Sequence, residues 1–224
     1  MLINECRKLS SIVEQRQYSD STLLNIGSST AEVRNQLQPY VGGLLLLLKS
    51  RKISVINIDI KEEEGVDYCL DFNNNDDFIK INNLKPDLIL ASNLLEHLPD
   101  LAVSLNKLCL LAKKNQSALI ITGPVKYPYH PDPIDNLFRP QSIEEILSIV
   151  EEDNLPINIE FYKTSKRPVI ASTIEFPQSL TYPSKHFLAA VLKTLKKPKH
   201  FLPIWVPLIK QFKPAQAFIC ILDY

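Results

Sequence analysis

Five short apolar runs constrain the fold of this chain more than any other feature. They are LLNIG at 23–27, ISVINIDI at 53–60, VDYCLDF at 66–72, DLILASN at 87–93 and SALIITGPV at 117–125. Each is too short for a core helix, and most are rich in residues that suit a pleated, buried surface. The intervening segments carry apolar residues at helical spacing. Ile3, Cys6, Leu9, Ile12 and Val13 mark a first helix within 1–20, and 101–112 is amphipathic. A further helix is expected from Ser28–Ser29–Thr30, which are good cap residues, through Val33, Leu37 and Leu44 to Leu48. Pro39 and the pair Gly42–Gly43 should kink or divide it. Buried strands alternating with helices predict a mostly parallel sheet covered on both faces, an α/β fold.

The pattern changes after Pro124. Thirteen of the 16 prolines lie in the last 101 of 224 residues, and five fall within 124–140, which is expected to be an irregular loop. A helix is predicted over 141–153 with Ser142 as a cap, then a strand over 157–164. A proline-broken insert spans about 168–214, and a last strand closes the chain at 217–224. A chain of this length supports one substantial core, so a single domain is expected, with its main body at 21–165.

Lys and Arg together number 25, as do Asp and Glu, which argues against a surface built throughout to neutralise nucleic acid. The balance hides a division: +3 over 1–58, −11 over 59–160 and +8 over 161–224. Cys6, Cys69, Cys109 and Cys220 form no CxxC pair and read as reduced, mostly buried thiols. Glu5 interrupts the region where a signal peptide would begin its apolar core, and the longest apolar run, around Leu44 to Leu48, is far short of a bilayer span. A cytoplasmic protein without a transmembrane segment is expected.

In open α/β sheets, ligands bind beyond the carboxyl ends of the strands where strand order reverses. Gly27 ends the first run and would let the backbone approach a ligand. Asp59, 32 residues later, ends the second and could hold both hydroxyls of a ribose. The same two residues also suit a turn and a loop cap.

Taken in order, LLNIGSST (23–30), VINIDI (55–60), VDYCLDF (66–72), PDLILASNLLEHLPD (86–100) and SALIITGPVKYPYHPDPIDNLFRPQSIEEI (117–146) resemble the motifs of class I S-adenosylmethionine-dependent methyltransferases. The resemblance covers about 20–165. It implies a seven-stranded, Rossmann-like sheet ending in an antiparallel hairpin that pairs 157–164 with 217–224. It further implies that Asn25, Gly27 and Ser28 border the methionine part of the cofactor, and that Asp59 binds the ribose. Asp71 and Phe72 would contact the adenine, and Asn93 and Leu94 would line the pocket beneath the transferred methyl. The first motif departs from the family's acidic residue and cluster of glycines: here stand Asn25, one glycine, two serines and Thr30.

His97, after Glu96, could act as a general base near neutral pH, although the same pair suits packing at a helix start. His130, Asp132, Asp135 and Arg139 lie within ten residues of one another. An imidazole beside a carboxylate suits deprotonation of a hydroxyl, and Arg139 could hold an anionic group of the substrate. No spacing points to a metal site. Between 185 and 213 there are seven lysines and no acid, interleaved with Phe187, Phe201, Trp205 and Phe212. That mixture fits anionic lipid or a lipid-linked substrate, and also a solvated basic face whose apolar side packs on the sheet or a second subunit. The leading expectation is methyl transfer to a small polar acceptor, with oxygen of a sugar or other envelope precursor preferred. The glycine-poor first motif supports an alternative, a methyltransferase-like binding or assembly module without catalysis. A dinucleotide-dependent oxidoreductase is disfavoured by the absence of GxGxxG.

Overall fold

The computed structural model describes residues 3–16, 18–126, 143–152, 158–163, 167–168 and 214–224. The first helix, α1 (Ile3–Gln15), is followed by β1 (Thr22–Ile26), a π-helical turn (Val33–Leu37) and α2 (Pro39–Ser50). Next come β2 (Ser54–Asp59), β3 (Tyr68–Cys69), α3 (Asn75–Asn82), β4 (Leu88–Ser92), a 3-10 turn (Leu95–His97) and α4 (Leu101–Asn115). The chain continues with β5 (Ala118–Lys126), α5 (Ile143–Glu152), β6 (Asn158–Lys163), β7 (Arg167–Pro168) and β8 (Pro214–Asp223).

Hydrogen bonding orders the strands β3-β2-β1-β4-β5-β8-β6, with β7 pairing β8 off that row. The first five are parallel, in registers such as Leu24↔Ile56, Leu24↔Ile89 and Leu90↔Ile120. β8 inserts antiparallel between β5 and β6, pairing Ile121↔Cys220 and Phe161↔Cys220, so the expected pairing of 157–164 with 217–224 is present. The two-residue β7 brings the sheet to eight strands rather than the expected seven. Strand order reverses at β1, flanked by β2 on one side and β4 on the other.

Side chains alternate along the strands and so divide the core between two faces. Leu23, Leu88, Leu90, Ile219 and Ile221 pack with Leu9 and Ile12 of α1 and Leu44 and Leu48 of α2. Leu24, Ile89, Ala91, Phe218 and Cys220 pack on the other face with Leu105 and Leu108 of α4 and Ile146 of α5. Arg16 ties the end of α1 to the last strand through Asp223, at 2.8 Å.

Two local expectations are corrected. The long helix after the first strand is divided at Pro39 alone; Gly42 and Gly43 lie inside an unbroken α2. Pro39 has no N–H and pushes Gln38 out of the helical region (φ −133°), so the Gln38 N–H closes a wider turn onto the Val33 carbonyl at 2.8 Å. The expected strand over 66–72 pairs only at Tyr68–Cys69, because the chain turns away where Asp71 Oδ1 accepts the Asn73 N–H at 2.8 Å. Helix α3 was not anticipated, although its signal is present: Asn74 caps it by accepting the N–H groups of Asp76 and Asp77, two acids suited to a helix start.

Candidate functional site at the strand ends

At the end of β1 the backbone turns through Gly27 at φ +71°, and the N–H groups of Gly27 and Ser28 both donate to the Ile58 carbonyl of β2, at 2.9 and 3.0 Å. A Cβ on Gly27 would lie 2.8 Å from Leu94 Cδ1, so the loop is flush against the residue that follows β4. Gly27→Ala should therefore lower unfolding stability by about 1–3 kcal/mol, through the left-handed backbone and the added methyl together. Urea denaturation of this variant, and of Gly27→Ala combined with Leu94→Ala, separates the two causes. The second substitution relieves the contact and leaves the backbone strain.

Ser29 also takes positive φ, at +60°, which its Cβ disfavours. Two contacts hold it there. Its N–H donates to Asp59 Oδ2 at 2.7 Å, and its carbonyl accepts from Arg34 Nη1. Arg34, only 6% exposed, also donates from Nη1 to the Ser28 carbonyl at 3.0 Å and from Nη2 to the Gly65 carbonyl at 2.6 Å. One guanidinium thus joins the loop after β1 to the connection between β2 and β3. Gly65, at φ +86°, makes room for it: a Cβ there would stand 2.5 Å from Arg34 Nη2. Burial lowers the pKa of Arg34, and the charges of Asp67 and Asp59 oppose that shift.

The structure gathers some of the sequence-derived candidates and separates others. Gly27, Ser28, Asp59, Asn93 and Leu94 meet where β1, β2 and β4 end. Asp59 accepts the Ser29 N–H and, through Oδ1, the Lys61 N–H at 3.2 Å. Carboxylate oxygens carry about four acceptor sites in all, so acceptor capacity remains for a diol. Asn25 differs from its expected role. It is buried within β1 and donates to Asn57 Oδ1 at 3.0 Å, and Asn57 in turn donates to Asp67 at 3.1 Å, so the amide serves the strand ladder. Asp71 is exposed in its own turn, and Phe72 is 4% exposed with its ring edge-to-face on Phe78 at 5.7 Å. The Phe72 ring is thereby part of the core. His97 is half-buried at the end of the 3-10 turn. His130, Asp132, Asp135, Arg139 and the basic stretch 185–213 lie outside the described residues. Among the described residues no three His, Cys, Asp or Glu side chains cluster as a metal would require, and no helix is long and apolar enough to cross a membrane.

Sequence reasoning missed Arg34 and Glu5 at this end of the sheet, and read Glu96 only as half of a pair suited to packing at a helix start. Arg34 gave no signal, since its partners are backbone carbonyls distant in sequence. Glu5 did give one: it shares a helical stripe with Leu9 and Ile12, and it is fully buried. Its Oε1 accepts from Asn93 Nδ2 at 2.8 Å and from Thr122 Oγ1, and Ser92 Oγ stands 3.5 Å away. Glu96 is 1% exposed, and its Oε2 has no hydrogen-bond partner among the described residues. Burial foremost, and then the nearby charge of Glu5, push its pKa up to about 8, against the opposing pull of its own backbone N–H.

No family model and no curated protein matches this chain. Solved structures do. A SAM-dependent methyltransferase from Archaeoglobus fulgidus aligns over 97% of this chain and 94% of its own, at 17% identity and a TM-score of 0.50. A cyclopropane-fatty-acyl-phospholipid synthase-like protein from Lactobacillus casei aligns over 98% and 90%, at 12% identity and a TM-score of 0.52. With parallel strands in the order β3-β2-β1-β4-β5 and an antiparallel C-terminal pair, this chain has the class I methyltransferase fold.

Proposed function

We propose that the chain binds S-adenosylmethionine and transfers its methyl group to a small polar acceptor. The observation that carries this reading is the convergence of a left-handed Gly27, seated on Leu94, with the half-buried Asp59 at the point where strand order reverses. The residues present fit the cofactor. Asp59 would hold the ribose hydroxyls with its remaining lone pairs, Gly27 and Ser28 would border the methionine part, and Asn93 and Leu94 would floor the reacting end. The bound cofactor supplies a sulfonium-activated methyl group. The chain supplies position, since displacement at that methyl requires an aligned nucleophile and no covalent enzyme intermediate. Oxygen of a sugar or other envelope precursor remains the preferred acceptor. The cationic stretch 185–213 would suit an anionic or lipid-linked form of it, met from the cytoplasmic side. His97 and His130 are the candidate bases, with Asp132, Asp135 and Arg139 as substrate contacts.

A second reading, a binding or assembly module without catalysis, is favoured by the first loop itself. Asn25 is occupied within the sheet, and both oxygens of Asp59 already take backbone N–H groups. Isothermal calorimetry separates the two readings. S-adenosylmethionine and its demethylated product should both bind the wild-type chain. In Asp59→Ala the loss of charged hydrogen bonds to the ribose should weaken binding roughly 10- to 100-fold. Absence of heat at millimolar ligand would remove the enzyme reading.

A further inference from the structure

We propose that Glu5 is a positioning residue for the cofactor: from the first helix it holds Asn93 in the left-handed backbone that sets Leu94 against Gly27. This rests on the reading that Gly27 and Leu94 border S-adenosylmethionine. Asn93 directly follows β4 and stands at φ +50°, a region that L-residues enter at a cost and that asparagine tolerates when its side chain is bonded nearby. Its backbone N–H donates to the Thr122 carbonyl at 2.9 Å, continuing the pairing of β4 with β5. Its side chain donates from Nδ2 to Glu5 Oε1 at 2.8 Å, with Ser92 Oγ at 3.2 Å and Thr122 Oγ1 at 3.4 Å.

The contact with Glu5 is the shortest of the three, and the two hydroxyls are engaged elsewhere. Ser92 Oγ and Thr122 Oγ1 share a hydrogen bond at 2.9 Å, and Thr122 Oγ1 also donates to Glu5. Glu5 is fully buried in the first turn of α1, whose Leu9 and Ile12 pack on the sheet. An apolar residue would cover the sheet at lower cost, so a buried carboxyl at that position marks a polar task. The consequence runs to the next residue. Leu94 is helical, at φ −103° and ψ −48°, and its Cδ1 lies 2.8 Å from where a Cβ on Gly27 would stand. Turning Asn93 to negative φ rotates the chain beyond it about one backbone bond and carries Leu94 away from the first loop.

Calorimetry with the demethylated cofactor, on folded chains well below their thermal transitions, tests this role. A purely structural contact moves the transition and leaves the affinity of the folded chain alone. Glu5→Met keeps the length of the side chain and removes the acceptor, and it should weaken binding about tenfold. Glu5→Gln keeps an acceptor oxygen and should stay within about threefold of the wild type. In an Asn93→Gly background, where glycine takes positive φ unaided, adding Glu5→Met should cost less than about twofold. If Glu5→Met does not fold, Asn93→Asp breaks the same contact from its other side by removing the Nδ2 donors, and it should weaken binding about tenfold as well. Unchanged affinity in folded Glu5→Met or in Asn93→Asp would overturn the positioning role. So would a loss in Glu5→Gln as large as in Glu5→Met, or an equal loss with and without Asn93→Gly. A wild-type chain that binds neither form of the cofactor removes the methyltransferase reading and this inference with it, whereas wild-type binding that these variants leave undisturbed removes this inference alone.

Discussion

Replacing Arg34 by alanine should lower unfolding stability by about 1–3 kcal/mol, because it strips the donors from one buried and two partly buried carbonyls at once. Ser28, Ser29 and Gly65 all present carbonyls to this one guanidinium. The consequence for binding should be larger than for folding. Ser29 is held at positive φ between Arg34 and Asp59, so releasing one side frees the loop to leave the conformation that places Gly27. Arg34→Lys is informative, since it keeps the charge but cannot span two loops with one ammonium. It should recover little of the loss. Chemical denaturation measures the first effect, and titration with the demethylated cofactor measures the second. A fully stable Arg34→Ala chain would remove the role assigned to this side chain.

Glu96→Gln should alter how stability depends on pH. In the folded chain this carboxyl is pushed from its ordinary 4.5 up to about 8, chiefly by burial. Between those two values the folded protein holds a proton that the unfolded chain releases, so wild-type stability falls as pH rises. The contribution is complete below pH 4.5 and lost by passage through pH 8. At about 1.4 kcal/mol per unit the fall amounts to roughly 3–5 kcal/mol across the window. Glutamine keeps the shape of the neutral acid and cannot ionise. The variant should therefore show a flatter profile from pH 5 to 8 and exceed the wild type at pH 8. Urea midpoints at pH 5, 6, 7 and 8 test this. Parallel profiles for the two proteins would show that Glu96 is already ionised in the folded chain.

These two residues also mark where the sequence stopped being legible. The strands β1, β2, β4 and β5 could be read because a buried strand in a parallel sheet needs unbroken apolar surface, and LLNI, SVINID, LILAS and ALIITG supply it locally. The division at Pro39 was legible for the same kind of reason, a missing N–H. Asp71 and Phe72 were assigned together from one run, yet a side-chain turn at Asp71 leaves one exposed and the other in the core. Their separation depends on the Phe78 ring, and the helix carrying it was not anticipated.

Glycine scarcity looked like a defect of the first loop, and the structure gives it a different meaning. Sequence alone determined the alternation of strands and helices, the placing of Gly27 and Asp59 at strand ends, and a resemblance of motifs to those of methyltransferases. Only the tertiary structure decided that an arginine and an aspartate hold a serine in the backbone region that a glycine would occupy freely, and that two acids 91 positions apart in sequence share one buried place. Hydrophobic periodicity is a local property, readable from neighbours along the chain. The partners of a guanidinium or a buried carboxyl are set by what the folded sheet brings alongside them.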